Sequence, residues 1–102
     1  MFLKDLGYRA KTIKTAIDAK KWLSSNRPIL MLIDIMLPDV SGLEFCRWLN
    51  SQKDLKDIPV IHMAAFLTDE ITQEDSLLSG ARDFITKPFN LEVLEQKIKA
   101  LI

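Results

Sequence analysis

One cysteine, Cys46, leaves no partner for an internal disulfide, which excludes a disulfide-stapled scaffold and fits a reducing compartment. One histidine, His62, excludes a histidine-rich metal site and reads instead as a satisfied or surface side chain. Neither sign of charge is in excess: 14 acids stand against 14 bases, and the bases are scattered. A surface for polyanions is therefore not expected, and neither is direct nucleic-acid binding. No apolar run approaches the roughly 20 residues needed to span a bilayer, and Met1 to Leu6 does not have the form of a signal peptide. The expected compartment is the cytoplasm, with no membrane partner. There is no repeat, low-complexity tract or linker, and 102 residues suffice for one core but not two.

What is present centres on one stretch, Ile29-Leu-Met-Leu-Ile-Asp34-Ile-Met-Leu-Pro38-Asp-Val-Ser-Gly42. Five uninterrupted apolar residues are too few for a helix and rich in strand formers. They predict a strand buried on both faces, as in parallel sheets. The run ends in a carboxylate, and Pro38 and Gly42 punctuate the loop that follows. Asp34 is thus expected at the C-terminal end of a central strand, where open α/β sheets bind ligands.

Upstream, Met1 to Leu6 reads as the end of a helix stopped by Gly7, and Arg9 to Ile13 as a short strand. Thr15 is suited to cap a helix over about Ala16 to Ser25, with Ala19, Trp22 and Leu23 facing inward. Downstream, Leu43 to Ser51 carries Phe45, Cys46 and Leu49 on one helical stripe, so Cys46 reads as core rather than as a reactive thiol. Val60 to about Ala64 reads as a second buried strand after Pro59. Thr68 or Asp69 would start a helix that Gly80 ends, and Asp83 to Thr86 would form a third strand. Asn90 would cap a last helix burying Leu91, Leu94, Ile98 and Leu101. Alternation of strands and helices predicts βαβ units, a parallel sheet and helices on both faces.

Two of these segments carry a family resemblance. Asp34 to Gly42 resembles the phosphoacceptor segment of response regulator receiver domains in two-component signalling. Gly80-Ala-Arg-Asp-Phe84-Ile-Thr-Lys87-Pro88-Phe89 resembles that family's last strand and Lys-Pro turn. The resemblance implies a three-layer, flavodoxin-like α/β fold and one receiver-like domain over residues 1–102. It implies a phosphoacceptor, Asp34, that takes a phosphoryl group from a sensor histidine kinase or a phosphotransfer protein. Lys87 would reach the phosphoryl oxygens, aimed by a cis Lys87-Pro88 bond, and the Met36 carbonyl would face Mg2+. The only phosphotransfer implied is to Asp34 itself, so an enzyme acting on other substrates is not expected.

The chain also departs from the family. By the resemblance it is expected to begin within the family's first helix, without the first strand and its terminal acidic pair, which would leave Asp34 as the one recognisable side-chain ligand. Weak or absent Mg2+ binding and slow or undetectable phosphorylation by small phosphodonors are the expectation. Asp39, Asp69 and Glu70 read as turn or capping acids rather than replacement ligands. Ala64 stands at the switch position where the family usually has Ser or Thr, and alanine has no hydroxyl to bond a phosphoryl group. Phe84 is either the partner aromatic of that switch or plain core. The absent strand would leave the Ile29 strand with an open edge, covered by a homodimer or by the Arg9 segment moving in. The alternative function is a pseudo-receiver, a protein-interaction module working without phosphorylation. An aspartyl phosphatase would usually want a second acid where Met36 stands.

Overall fold

The computed structural model describes residues 10–64, 73–86 and 90–102. Its elements run α1 (Ala16–Leu23), β1 (Met31–Asp34), α2 (Gly42–Ser51), β2 (Val60–Ala64), α3 (Gln73–Leu78), β3 (Asp83–Thr86) and α4 (Leu91–Leu101). The strands form one parallel sheet in the order β1-β2-β3. Ile33 lies opposite His62, and His62 opposite Phe84. Parallel neighbours need crossover connections, and α2 and α3 supply them.

Alternation along the strands sends side chains to two cores. On one face Ile33 and Val60 meet Ala16, Ala19 and Leu23 of α1 and Phe45, Cys46 and Leu49 of α2. On the other, Ile61 and Ile85 meet Leu94 and Ile98 of α4, with Leu30, Leu32 and Met63 packed alongside. Helices on both faces give the three layers expected. Leu94 and Ile98 are fully buried, and each such side chain contributes about 1.5–3 kcal/mol relative to exposure.

Helix starts follow the side-chain chemistry. Thr15, Ser41 and Asn90 each accept a hydrogen bond from the backbone N–H three residues on, at Asp18, Glu44 and Val93. Cys46 is buried in the first core, and burial pushes its thiol pKa up, away from reactivity. Gly80 follows α3 at φ 109°, and a Cβ there would strike the Asn50 side chain. That side chain donates to the Ser79 carbonyl at 2.9 Å, tying α2 to the end of α3.

Several expectations are corrected. Ala10 to Ile13 is not a strand; it runs irregularly into the Thr15 cap, with only Ile13 packed against the first core. The sparse apolar residues of this segment give a sheet little to bury. The first helix ends at Leu23, not Ser25, and Ala16 is buried where Trp22 is only half-buried. The central stretch packs on both faces, Met31 and Ile33 on one and Leu30 and Leu32 on the other, but of these only Ile33 is fully buried. Ile29 lies before the strand at 70% exposure, and Leu30, Met31 and Leu32 are half-buried. Among the described residues β1 pairs with β2 alone, in keeping with the open edge expected of the Ile29 strand. Leu91 is exposed and Leu101 only half-buried, as befits the ends of a helix whose middle turns carry the contacts. The expected helix at Met1 to Leu6, the Thr68 or Asp69 cap, and Glu70 lie outside the described residues.

Candidate functional site

Asp34 is the last residue of β1, paired with Met63. Its backbone and side chain both enter a closed loop. The Ile35 N–H donates to the Met63 carbonyl at 2.9 Å, while the Gly42 N–H donates back to the Ile35 carbonyl at 2.6 Å. Between these ties Met36 bridges Ser41 in an antiparallel pair, and the Met36 N–H donates to Asp34 Oδ1 at 3.1 Å. This Asx-type turn fixes the carboxylate relative to the loop backbone. Gly42 is required for the closure: a Cβ would collide with the Asp34 carbonyl oxygen and the Ile35 Cα. No left-handed φ is involved, so close approach alone selects glycine here.

A second tie fixes the end of the loop. His62, on β2 and 0% exposed, places Nε2 3.1 Å from the Gly42 carbonyl. A carbonyl can only accept, so Nε2 carries the proton. Burial lowers the His62 pKa and favours the neutral ring, partly opposed by the Gly42 bond. The reading of His62 as a satisfied histidine therefore holds. Its partner, 20 positions away, is visible only once β2 and the loop are side by side.

Asp39 is the third anchor. Its two carboxylate oxygens accept from the Ala16 and Ile17 N–H groups at 3.0 and 2.9 Å, and Oδ1 also accepts from Val40 N–H. The loop acid thus caps α1, and the Ala16 and Ile17 bonds hold its pKa below the usual carboxylate range. This matches its reading as a capping acid.

The remaining site residues are distributed as follows. Met36 is exposed at 74%, two residues beyond Asp34. Ala64 ends β2 opposite Thr86, and with Ile35 and Phe84 it forms a small buried cluster beside the strand ends. Phe84 is therefore core in this structure. Lys87, Pro88 and the cis bond expected between them lie outside the described residues, as does Asp69. No group of three or more His, Cys, Asp or Glu side chains able to hold a metal occurs among the described residues. One carboxylate and backbone carbonyls make a thin donor set for magnesium, which prefers near-octahedral oxygen coordination. The described donors alone do not make a full site for that ion.

Residues 1–99 match the family described as the response regulator receiver domain. The chain belongs to the response regulator receiver family. It is 33% identical over 101 residues to the transcriptional regulatory protein GltR of Pseudomonas aeruginosa, covering 99% of this chain and 41% of that protein. It is 36% identical over 100 residues to the transcriptional regulatory protein YvcP of Bacillus subtilis, covering 98% and 40%. The receiver thus spans about two fifths of the length of these curated relatives. Among solved structures it is similar to the signal receiver domain of a histidine kinase from Syntrophus aciditrophicus, with 37% identity and a TM-score of 0.88 over 98% of this chain and 75% of that one. A receiver domain of a sensor histidine kinase from Pseudomonas aeruginosa, solved with magnesium in its active-site cleft, matches at 27% identity and a TM-score of 0.86, covering 98% and 81%. The flavodoxin-like fold and the place of the chain in two-component signalling follow from this membership. No helix among the described residues is long and apolar enough to cross a membrane.

Proposed function

We propose that this receiver accepts a phosphoryl group on Asp34 from a histidine kinase or phosphotransfer protein. The observation that carries the reading is the placement of Asp34 at the C-terminal end of β1, in a loop closed by Gly42. In the step, an Asp34 carboxylate oxygen forms a bond to phosphorus as the phosphorus–nitrogen bond of a phosphohistidine breaks. The departing imidazole nitrogen keeps the bonding pair and takes up a proton. Such transfer depends on positioning and charge neutralisation more than on covalent assistance. The loop supplies the positioning, and Lys87 supplies a cation for the phosphoryl oxygens. Mg2+ bound by the Asp34 carboxylate and the Met36 carbonyl would add charge neutralisation, held weakly because the donor set is small.

The 102 residues act in this reading as one domain, located in the cytoplasm, with phosphotransfer only to their own Asp34. Partnership with a second copy at the exposed β1 edge is part of the same proposal. Its support is the single strand neighbour of β1 among the described residues, with exposed Ile29 and Met36 nearby. Sedimentation over a range of concentrations tests it: a mass that stays monomeric at high concentration removes the dimer.

The acceptor is tested by treating the protein with phosphoramidate and magnesium, then trapping the acyl phosphate with borohydride and mapping the reduced residue. Slow reduction confined to position 34 supports the reading. Reduction at another acid moves the acceptor there.

A further inference from the structure

We infer that His62 is a positioning residue for the Asp34 loop, acting through the Gly42 carbonyl; this rests on the reading of Asp34 as acceptor. The loop from Ile35 to Gly42 is held at both ends by adjacent residues of β2. Its start is tied to the Met63 carbonyl through the Ile35 N–H, and its end to the His62 ring through the Gly42 carbonyl. The two ends are tied to each other by the Gly42 N–H and the Ile35 carbonyl. Asp34 precedes this ring directly, and its Oδ1 is bonded to the Met36 N–H inside it. A shift of Gly42 is therefore transmitted to the backbone on which the carboxylate stands, because the glycine packs against the Asp34 carbonyl with no room for a Cβ.

His62 is suited to this role in ways an apolar residue is not. It is completely buried on β2, on the sheet face it shares with Val60 and Ala64. A wholly apolar side chain would pack there with no desolvation cost, whereas an imidazole is tolerated only with its polar atoms satisfied. The Gly42 carbonyl has two lone pairs, so it can accept from His62 and still serve the first turn of α2. The bond adds a directional constraint at the point where the loop becomes a helix. Misplacement of a reacting group by about 1 Å can cost as much as 10²-fold in rate, so a constraint here is felt in phosphoryl transfer before it is felt in the fold.

The test compares His62→Leu, which keeps an apolar volume but no donor, with His62→Gln, whose amide nitrogen reaches nearly as far as Nε2. Initial rates of phosphorylation by phosphoramidate with magnesium are read beside urea stability and hydrogen exchange of the Gly42 and Met36 amides. The expectation is a loss of about tenfold or more in rate for His62→Leu, faster exchange at both amides, and recovery of most of both in His62→Gln. A His62→Leu protein that is labelled at the wild-type rate with unchanged amide protection overturns the inference. So does a His62→Gln protein that folds but fails to recover either. If His62→Leu does not fold, His62→Asn takes its place, since its shorter amide cannot reach Gly42; wild-type rate and protection in that variant likewise overturn the inference. Each variant is repeated with Asp34→Asn. Label that survives there refutes Asp34 as acceptor, while the amide exchange still decides whether His62 holds the loop.

Discussion

Replacing Gly42 with alanine probes the loop closure on which the site depends. The added Cβ would overlap the Asp34 carbonyl oxygen and lie 2.8 Å from the Ile35 Cα. Both are backbone atoms at the end of β1, so no side chain can rotate away to relieve the overlap. The loop must move, loosening the Gly42–Ile35 bond and the His62 bond together. Overpacking of this kind costs about 1–3 kcal/mol, and a weakened buried hydrogen bond adds about 1 kcal/mol. Alanine at the first position of α2 offsets less than about 1 kcal/mol through helix preference. The net is a destabilisation of about 1–3 kcal/mol, or about 4–8 °C in Tm for each kcal/mol in a domain of this size. Urea unfolding measures it, with an unchanged m-value marking a change in stability rather than in compactness. A Gly42→Ala protein as stable as wild type would refute the argument that the glycine is there for close approach.

Further expectations concern the other anchors. Asp39 has a depressed pKa in the folded chain, so its stabilising contribution is fully present above the ordinary carboxylate value of about 3.9 and is lost as pH falls through the lower folded value. Urea midpoints followed into acid should therefore show a shallower decline in Asp39→Asn than in wild type; parallel curves would contradict this. His62 also has a lowered folded pKa, so its neutral form stabilises the fold above about pH 6.5, and stability falls below that by at most about 1.4 kcal/mol per pH unit. His62→Gln should remove that part of the pH dependence. Leu94→Ala opens a cavity in the α4 core and should cost about 2–5 kcal/mol by urea unfolding.

Much of this fold is legible in the chain because local and long-range signals agree. Thr15 and Asn90 announce their helices by cap chemistry, and Val60 to Ala64 and Asp83 to Thr86 form strands over the expected residues. Ala10 to Ile13 is misread because a short β-type pattern with few apolar residues gives a sheet little to bury. The burial expected of Ile29 to Ile33 is incomplete, with contacts on both faces but only Ile33 fully buried, because composition reports how apolar a strand is, not which sheet neighbours cover it. At the site, Asp34 stands at the strand end as its position before Pro38 and Gly42 suggests. The ties from His62 to Gly42 and from Asp39 to α1 are not legible, because they join residues about 20 positions apart through contacts only the folded loop creates.

The account stands most directly on whether Asp34 takes a phosphoryl group. Intact mass spectrometry of wild type and Asp34→Asn, each incubated with phosphoramidate and excess magnesium, answers this on one instrument. The account predicts a slowly forming single phosphoryl adduct on wild type, discharged by hydroxylamine, and no adduct on Asp34→Asn. An adduct of equal yield on both proteins, or one that forms on Asp34→Asn alone, would contradict it.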